Sequence, residues 1–265
     1  MSSNFPLSNN QLLKIAPSIF ASSPVNNVTN RYLFIPTSEV IDIFRDNGWY
    51  PVYAKESFAR DINNQGYQTH IIRFRHITDL LKKDEEAIEI LLRNSHNRRS
   101  AFEIKLGVFR FVCENRLVVA DSMFKSFSIR HITFNASKVE SAINEIVAYL
   151  PTLKNRITDY KSINLSDDEK YAYASAAKDI RFSNDYFINA YDLLKPRRKE
   201  DEKDDLWSVF NRVEENCIRG GIKGKNIYSN RNFTSKPITS IDKQLEINEK
   251  LFELTDKFAQ IKLSA

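Results

Sequence analysis

The segment Asn216 to Ile241, NCIRGGIKGKNIYSNRNFTSKPITSI, holds five basic residues, Arg219, Lys223, Lys225, Arg231 and Lys236, and no acidic one. Tyr228 and Phe233 stand among these charges. Cations that track phosphates, interleaved with aromatic faces on which unstacked bases can lie, are what a single-strand nucleic-acid surface requires. Three of the six glycines fall in the same run, and a residue without Cβ lets the backbone approach a phosphate closely. A helix C-cap followed by a flexible basic loop would leave the same residues in the same order, so the sequence keeps both readings open.

A second basic set lies earlier. Arg73 and Arg75 fall on one side of a strand by the period of two, with His70, Ile72, Phe74 and His76 on the other. Arg98 and Arg99 occupy a turn, and Arg110 falls within a later strand. Together they would line one edge of a sheet as a strip that holds a phosphate backbone; taken singly, each reads as an ordinary exposed arginine.

Signals for catalysis are weaker. His70, His76, His96 and His131 show no HExxH or paired metal spacing, and Cys113 and Cys217 have no CxxC partner. No GxxxxGK[ST] or GxGxxG occurs. Asn94, Ser95 and His96, taken with Asp121 and Ser122, could be arranged as a nucleophile and base. Their place at a turn favours side chain to backbone hydrogen bonds that orient a hairpin. Asp61, Glu103 and Asp121 are carboxylates without recognisable spacing. No catalytic centre, cofactor or metal is therefore expected.

The elements that must position these residues follow from periodicity. Residues 1–30 mix Pro, Asn and Ser around LLKIAPSIF, a short helix entering a loop, and read as an N-terminal arm packed on the body. Val40, Ile41, Ile43 and Phe44 form a helical face that ends at Asn47 and Gly48, with Thr37 or Ser38 available as N-cap. WYPVYAKESFAR and YQTHIIRFRH flank an Asn/Gly turn and predict a β-hairpin. AIEILLRNSH and SAFEIKLGVFRFVCENRLVVA predict a second, and FSIRHITF a further short strand. Ser137 with Glu140 and Ser166 with Glu169 have capping-box spacing and open helices; Pro151 either kinks the first or begins a new one. Leu206, Phe210, Val213 and Cys217 mark another helix, closing at Gly220 and Gly221. Ile247, Leu251, Leu254, Phe258 and Ile261 follow a heptad seam, which reads as docking on the chain's own core ahead of self-association. KPRRKEDEKDD reads as a solvated linker. The fold class is α+β: an antiparallel sheet with packed helices over 31–164, then a helical C-terminal region over 165–265 that carries the basic loop 216–241.

The 265 residues are 42% hydrophobic with a net charge of +5, enough to build a core and mildly inclined toward polyanions. Neither half is strongly basic, so a binding surface must be local. No run of eighteen apolar residues and no leader pattern occurs, and membrane spanning and secretion are not expected. Two cysteines far apart in sequence are expected to be buried thiols in a reducing cytoplasm.

APSIFA, RYLFIPTSEVI, NSH, GVFRFVCENRLVVADS, DLWSVFNRVEENCIRGG and SIDKQLEINEKLF resemble, in order, strings of a bacterial family of phage- and plasmid-like proteins catalogued as a domain of unknown function. The resemblance spans most of the chain and implies a mobile-element context without naming an activity. A second resemblance covers Tyr32 to Leu150: a helix ending in Asn47, Gly48 and Trp49, a strand, an Asn/Gly turn, another strand, a further pairing and a long helix. That order is similar to the annealing domain of single-strand annealing recombination proteins, which implies an oligomer holding DNA in a basic groove.

The sequence reading is thus a non-enzymatic, cytoplasmic single-stranded DNA-binding protein, homo-oligomeric, that promotes annealing in phage or plasmid recombination without ATP. Two other classes are compatible with the same residues. One is a mobile-element interaction protein, anti-defence or regulatory, with no DNA affinity; the other is a metal-dependent nuclease using the scattered carboxylates.

Overall fold

Alternating apolar residues build the first sheet as the sequence implies. The structure, a computed structural model, describes residues 5–26, 28, 32–80, 86–110, 118–119, 127–129, 136–197 and 199–264. Strands β1 (Trp49–Glu56), β2 (His70–His76), β3 (Glu86–Asn94) and β4 (Phe102–Arg110) pair antiparallel in sequence order. Two short strands, β5 (Val118–Val119) and β6 (Phe127–Ile129), share the far edge of β4. The register sets Ile72 opposite Leu92 and Phe74 opposite Ile90, and continues to Ile104 and Leu106 on β4. All six are buried on one face. Pro51, which has no N–H to donate, sits on the edge strand β1 beside a break in register.

Helix α1 (Asn9–Ile15) starts at a capping box formed by Ser8 and Gln11. Its following turn, Pro17–Phe20, buries Ser18 and Ile19. Helix α2 (Thr37–Asp46) turns Val40, Ile41 and Phe44 inward, and Phe44 stacks on Phe74 with ring centroids 4.1 Å apart. Its N-cap is Pro36, without a side-chain cap. Thr37 is not available for that role, because its hydroxyl is drawn into a buried cluster of histidines described below.

The chain forms two compact units, residues 1–112 with 116–150, and residues 113–115 with 151–265. The division falls inside α3 (Ala136–Ser162), which runs on through Pro151, whereas the sequence reading divided the chain at 30 and 164. In the second unit α4 (Asp167–Arg181) opens on the Ser166–Glu169 capping box. Helix α5 (Leu206–Arg219) starts at Asp205, whose carboxylate accepts from Ser208 N, and is buried from Leu206 through Ile218. Such a helix is central to its unit. Trp207 stacks on Phe210 at 5.1 Å, and α6 (Ile241–Ser264) buries Leu245, Ile247, Leu251, Phe252 and Ala259.

Of three features of this unit, the first agrees with the reading of the seam as docked on the chain's own core, at Ile247 and Leu251, and the other two differ from expectation. The heptad seam of α6 is buried at Ile247 and Leu251, while Ile261 is exposed. The stretch read as a solvated linker is tied down: Asp201 is buried and Lys170 donates to Asp204 at 2.8 Å. Within the helical part lies a second antiparallel sheet, β7 (Tyr186–Ile188), β8 (Lys223–Asn226) and β9 (Asn232–Thr234).

Candidate nucleic-acid interface

The basic segment is an ordered hairpin. Asn226 fixes its turn: its side-chain oxygen accepts from Tyr228 N at 3.1 Å and Ser229 N at 2.8 Å. Its backbone N donates to Arg231 O at 2.9 Å. Asn230 takes the left-handed conformation, φ 57°, which Asn tolerates better than most residues. Gly224 is required at the strand crossing, because a Cβ there would lie 2.4 Å from the Phe233 ring and 2.9 Å from Ile188. At the base, Gly220 (φ 70°) lets the backbone pass so close to Ser235 that a Cβ would meet its carbonyl at 2.6 Å.

Pairing decides which residues share a face. Ile188, Gly224 and Phe233 align across the three strands, and Tyr186 meets Phe233 at 4.4 Å between centroids. The opposite face carries Phe187 beside Lys225, then Asn232, with Lys223 and Thr234 in the next row. Phe187 is 69% exposed and Tyr228, in the turn, 80%. Both are aromatic surfaces kept in water, where burial would have been favourable by roughly 25 cal/mol per Å². Phe233, by contrast, is half-buried on the inner face, which does not suit the stacking role expected of it from sequence.

Four of the five charges of this segment stand in solvent without a carboxylate among the described residues. Lys223, Lys225, Arg231 and Lys236 are exposed, and among the described residues none of them forms an ion pair. Several other cations are engaged, as in Arg93 with Glu103 at 2.9 Å or Lys262 with Glu169 at 2.9 Å. Arg219 belongs to this engaged class, its Nε 3.3 Å from the buried Glu215 carboxylate. It anchors the helix end, unlike the other four basic residues of the segment.

The earlier arginine strip does not form as expected. Arg73 and Arg75 are 0% and 1% exposed. Arg73 Nε lies 3.0 Å and Arg75 Nη2 2.6 Å from opposite oxygens of Glu89, itself buried. The Arg73 guanidinium also lies over the Tyr53 ring, 4.5 Å from its centroid. Period-two spacing placed them on one side of β2 correctly, but that side is interior, where a phosphate cannot reach them. Arg98 and Arg99 are exposed in the turn between β3 and β4. Arg110 closes β4 opposite Glu86, and its side chain lies outside the described residues.

Asn94, Ser95 and His96 serve hairpin orientation. Asn94 Nδ2 donates to Thr37 Oγ1 at 2.9 Å, Ser95 Oγ accepts from Ser100 N at 3.0 Å, and His96 N donates to Tyr67 O at 3.1 Å. Thr37 Oγ1 lies 2.9 Å from His70 Nε2 and 3.3 Å from His96 Nε2, and Ser18 Oγ lies 2.9 Å from His70 Nδ1. Burial pushes the His70 imidazole down to a pKa of about 4, against a smaller opposing effect of the Gln68 carbonyl. Asp61 accepts from Asn63 N at 3.0 Å, and Glu103 pairs with Arg93. Asp121, Ser122, His131 and Cys113 lie outside the described residues. Cys217 is a buried thiol pushed up to about 12 by burial. Among the described residues no three His, Cys, Asp or Glu converge as metal ligands, and no helix is long and apolar enough to cross a membrane.

The model of a family described as "Domain of unknown function (DUF932)" matches residues 24–252. Two proteins of Escherichia coli (strain K12), UPF0380 protein YafZ and UPF0380 protein YfjQ, are each 29% identical to the chain over 252 residues, covering 95% of this chain and 91% of theirs. No solved structure matches it.

Proposed function

The chain belongs to the DUF932 family, whose description names no activity, and from the chain's own surface we propose that it binds single-stranded DNA across the outer face of β7–β9. The observation that carries this reading is Phe187 and Tyr228 standing in solvent beside cations that have no carboxylate partner among the described residues. Lys223, Lys225 and Arg231 hold successive phosphates while bases stack on Phe187 and Tyr228. A small sheet is a rigid platform for this, since backbone pairing fixes the spacing of its side chains.

Because such contacts leave Watson–Crick edges free, a second strand can be tested for complementarity and zipped without ATP. Annealing in a mobile-element setting is the function this binding mode serves. Assembly of several protomers along the strand extends the path, although the α6 seam does not provide it at Ile247 and Leu251, which are buried within their own unit.

Fluorescence anisotropy with a labelled oligonucleotide tests the reading. Affinity for single strands is expected to fall steeply between about 50 and 200 mM salt, by roughly 0.7 log units per contact for each log unit of salt. Salt-independent binding, or no binding at 50 mM, would sink it, and in the latter case an exposed aromatic patch of this kind suits a protein partner instead.

A further inference from the structure

Next to the first residue of β8 the second unit contains a cleft of about 300 Å³. Lys195, Arg197 and Lys223 line it with one carboxylate, Asp192, leaving an excess of two positive charges. Pro196 and Ile222 supply an apolar wall. The Arg197 guanidinium is fixed in advance: Nε donates to Asn216 Oδ1 at 2.9 Å and Nη2 to Gly220 O at 2.8 Å. Asn216 is buried and its amide donates to Leu193 O at 2.9 Å and Lys195 O at 3.0 Å, so the group that orients the arginine is itself held. Nη1 of Arg197 has no protein acceptor among the described residues. Lys195 lies 2.6 Å from Asp192, and Lys223 has no ion pair among the described residues.

We propose that this cleft binds the phosphate monoester of a nucleotide, carried either by the end of a single strand or by a free mononucleotide. A monoester carries about −1.5 to −2 charges at neutral pH, which matches the excess in the cleft, whereas an internal diester carries one. A planar, pre-oriented guanidinium recognises phosphate oxygens with little further ordering. The volume stands at the low end of ligand pockets, roughly 300–1,000 Å³, and so suits one nucleotide unit, with its sugar or base against Pro196 and Ile222. Lys223 belongs to both the cleft and the outer face of the sheet, so a strand lying on the sheet can deliver its end here. The strand-end form rests on the function proposed above; the mononucleotide form does not.

The experiment compares three oligonucleotides of one sequence with a 5′-phosphate, a 3′-phosphate or neither, by anisotropy. It also titrates the protein with adenosine 5′-monophosphate and with inorganic phosphate by calorimetry. One phosphorylated end is expected to bind roughly tenfold tighter than the unphosphorylated strand, the scale of one charged hydrogen bond. In Arg197→Lys, which keeps the charge and loses the fork, that ratio falls toward one. If Arg197→Lys does not fold, Lys195→Gln, at an exposed position, is expected to lower the same ratio. Binding heat with the monophosphate but equal affinity for all three oligonucleotides assigns the cleft to a free nucleotide. Equal affinities together with no heat overturn the proposal and leave the sheet reading standing. Equal heats from the monophosphate and inorganic phosphate overturn recognition of a nucleotide. Arginine-dependent heat from the monophosphate, in a protein that binds no oligonucleotide, sinks the sheet reading and keeps the cleft.

Discussion

Two antiparallel sheets in this chain carry basic residues at alternate strand positions and treat them in opposite ways. In the larger, Arg73 and Arg75 point to the interior and share the Glu89 carboxylate. In the smaller, Lys223 and Lys225 point to solvent, beside an exposed phenylalanine. The spacing is the same, and what differs is the neighbouring strand. Glu89 on β3 stands directly opposite Arg75, whereas β8 faces Asn232 and Thr234 on β9 and Phe187 on β7. A buried cation requires a partner to be held at all, so a cation without one stays in water, where it can serve a ligand.

The largest expected effect tests the buried side of this contrast. Glu89→Gln leaves two guanidinium groups interior without their shared carboxylate and is expected to cost about 3–5 kcal/mol of stability. Lys225→Ala, a surface truncation, is expected to change stability by less than about 0.5 kcal/mol. Urea unfolding of the two variants measures both. Similar midpoints would mean that Arg73 and Arg75 are not confined as described, and the contrast would collapse.

Acid provides the next test of the larger sheet's buried polar groups. His70 has a folded-state pKa depressed from 6.5 to about 4 because burial penalises the imidazolium. The unfolded chain therefore takes up the proton first. Stability is full above about pH 6.5 and is lost as pH falls toward 4, by up to about 3 kcal/mol from this group alone. Urea unfolding at pH 7 and pH 5 is expected to show a larger loss for the wild type than for His70→Asn. Equal losses would show that burial does not depress the His70 pKa, the imidazole then taking up its proton alike in the folded and the unfolded chain.

How far the sequence carried these assignments depends on how local each cause is. The two hairpins of the larger sheet were legible, since alternation over seven to nine residues is a strong signal. So were the capping box at Ser166 and the helix end at Gly220, because caps are written within four residues. The burial of Arg73 and Arg75 was not, because period two separates the faces without saying which one is covered, and Glu89 is adjacent only through the β2–β3 register. Phe187 escaped notice for another reason: a three-residue strand between helices is too short to show alternation. The acid-free run forms a hairpin that keeps Tyr228 in solvent, but its other aromatic, Phe233, faces inward over Gly224.

Truncating the aromatics tests the exposed side. Phe187→Ala and Tyr228→Ala are each expected to weaken single-strand binding by about 1–3 kcal/mol at every salt concentration, one stacked base apiece. Stability should hold, because neither ring is buried. Phe233→Ala reverses the pattern, lowering stability through lost packing against Tyr186 and affecting binding only through the fold. If Phe233→Ala removed binding while leaving the melt unchanged, and Phe187→Ala did nothing, the assignment of faces on the small sheet would be inverted.

A change of slope separates charge from stacking. Replacing Lys223, Lys225 and Arg231 together by Ala removes three cations that have no ion pair among the described residues, so no carboxylate is left stranded by the change. Each phosphate contact on a single strand contributes roughly 0.7 to the slope of log affinity against log salt, so the triple variant is expected to flatten that slope by about two units. The aromatic variants should instead leave the slope nearly unaltered while shifting the whole line. The distinction arises because counterion release follows the number of neutralised phosphates, whereas stacking exchanges water for a ring face and releases no ions. Affinity measured at four or five salt concentrations for each protein gives both quantities. A triple variant that keeps the wild-type slope, with its melting temperature intact, would mean that these three cations touch no phosphate and that the exposed charge of β8 and its turn only keeps the surface solvated.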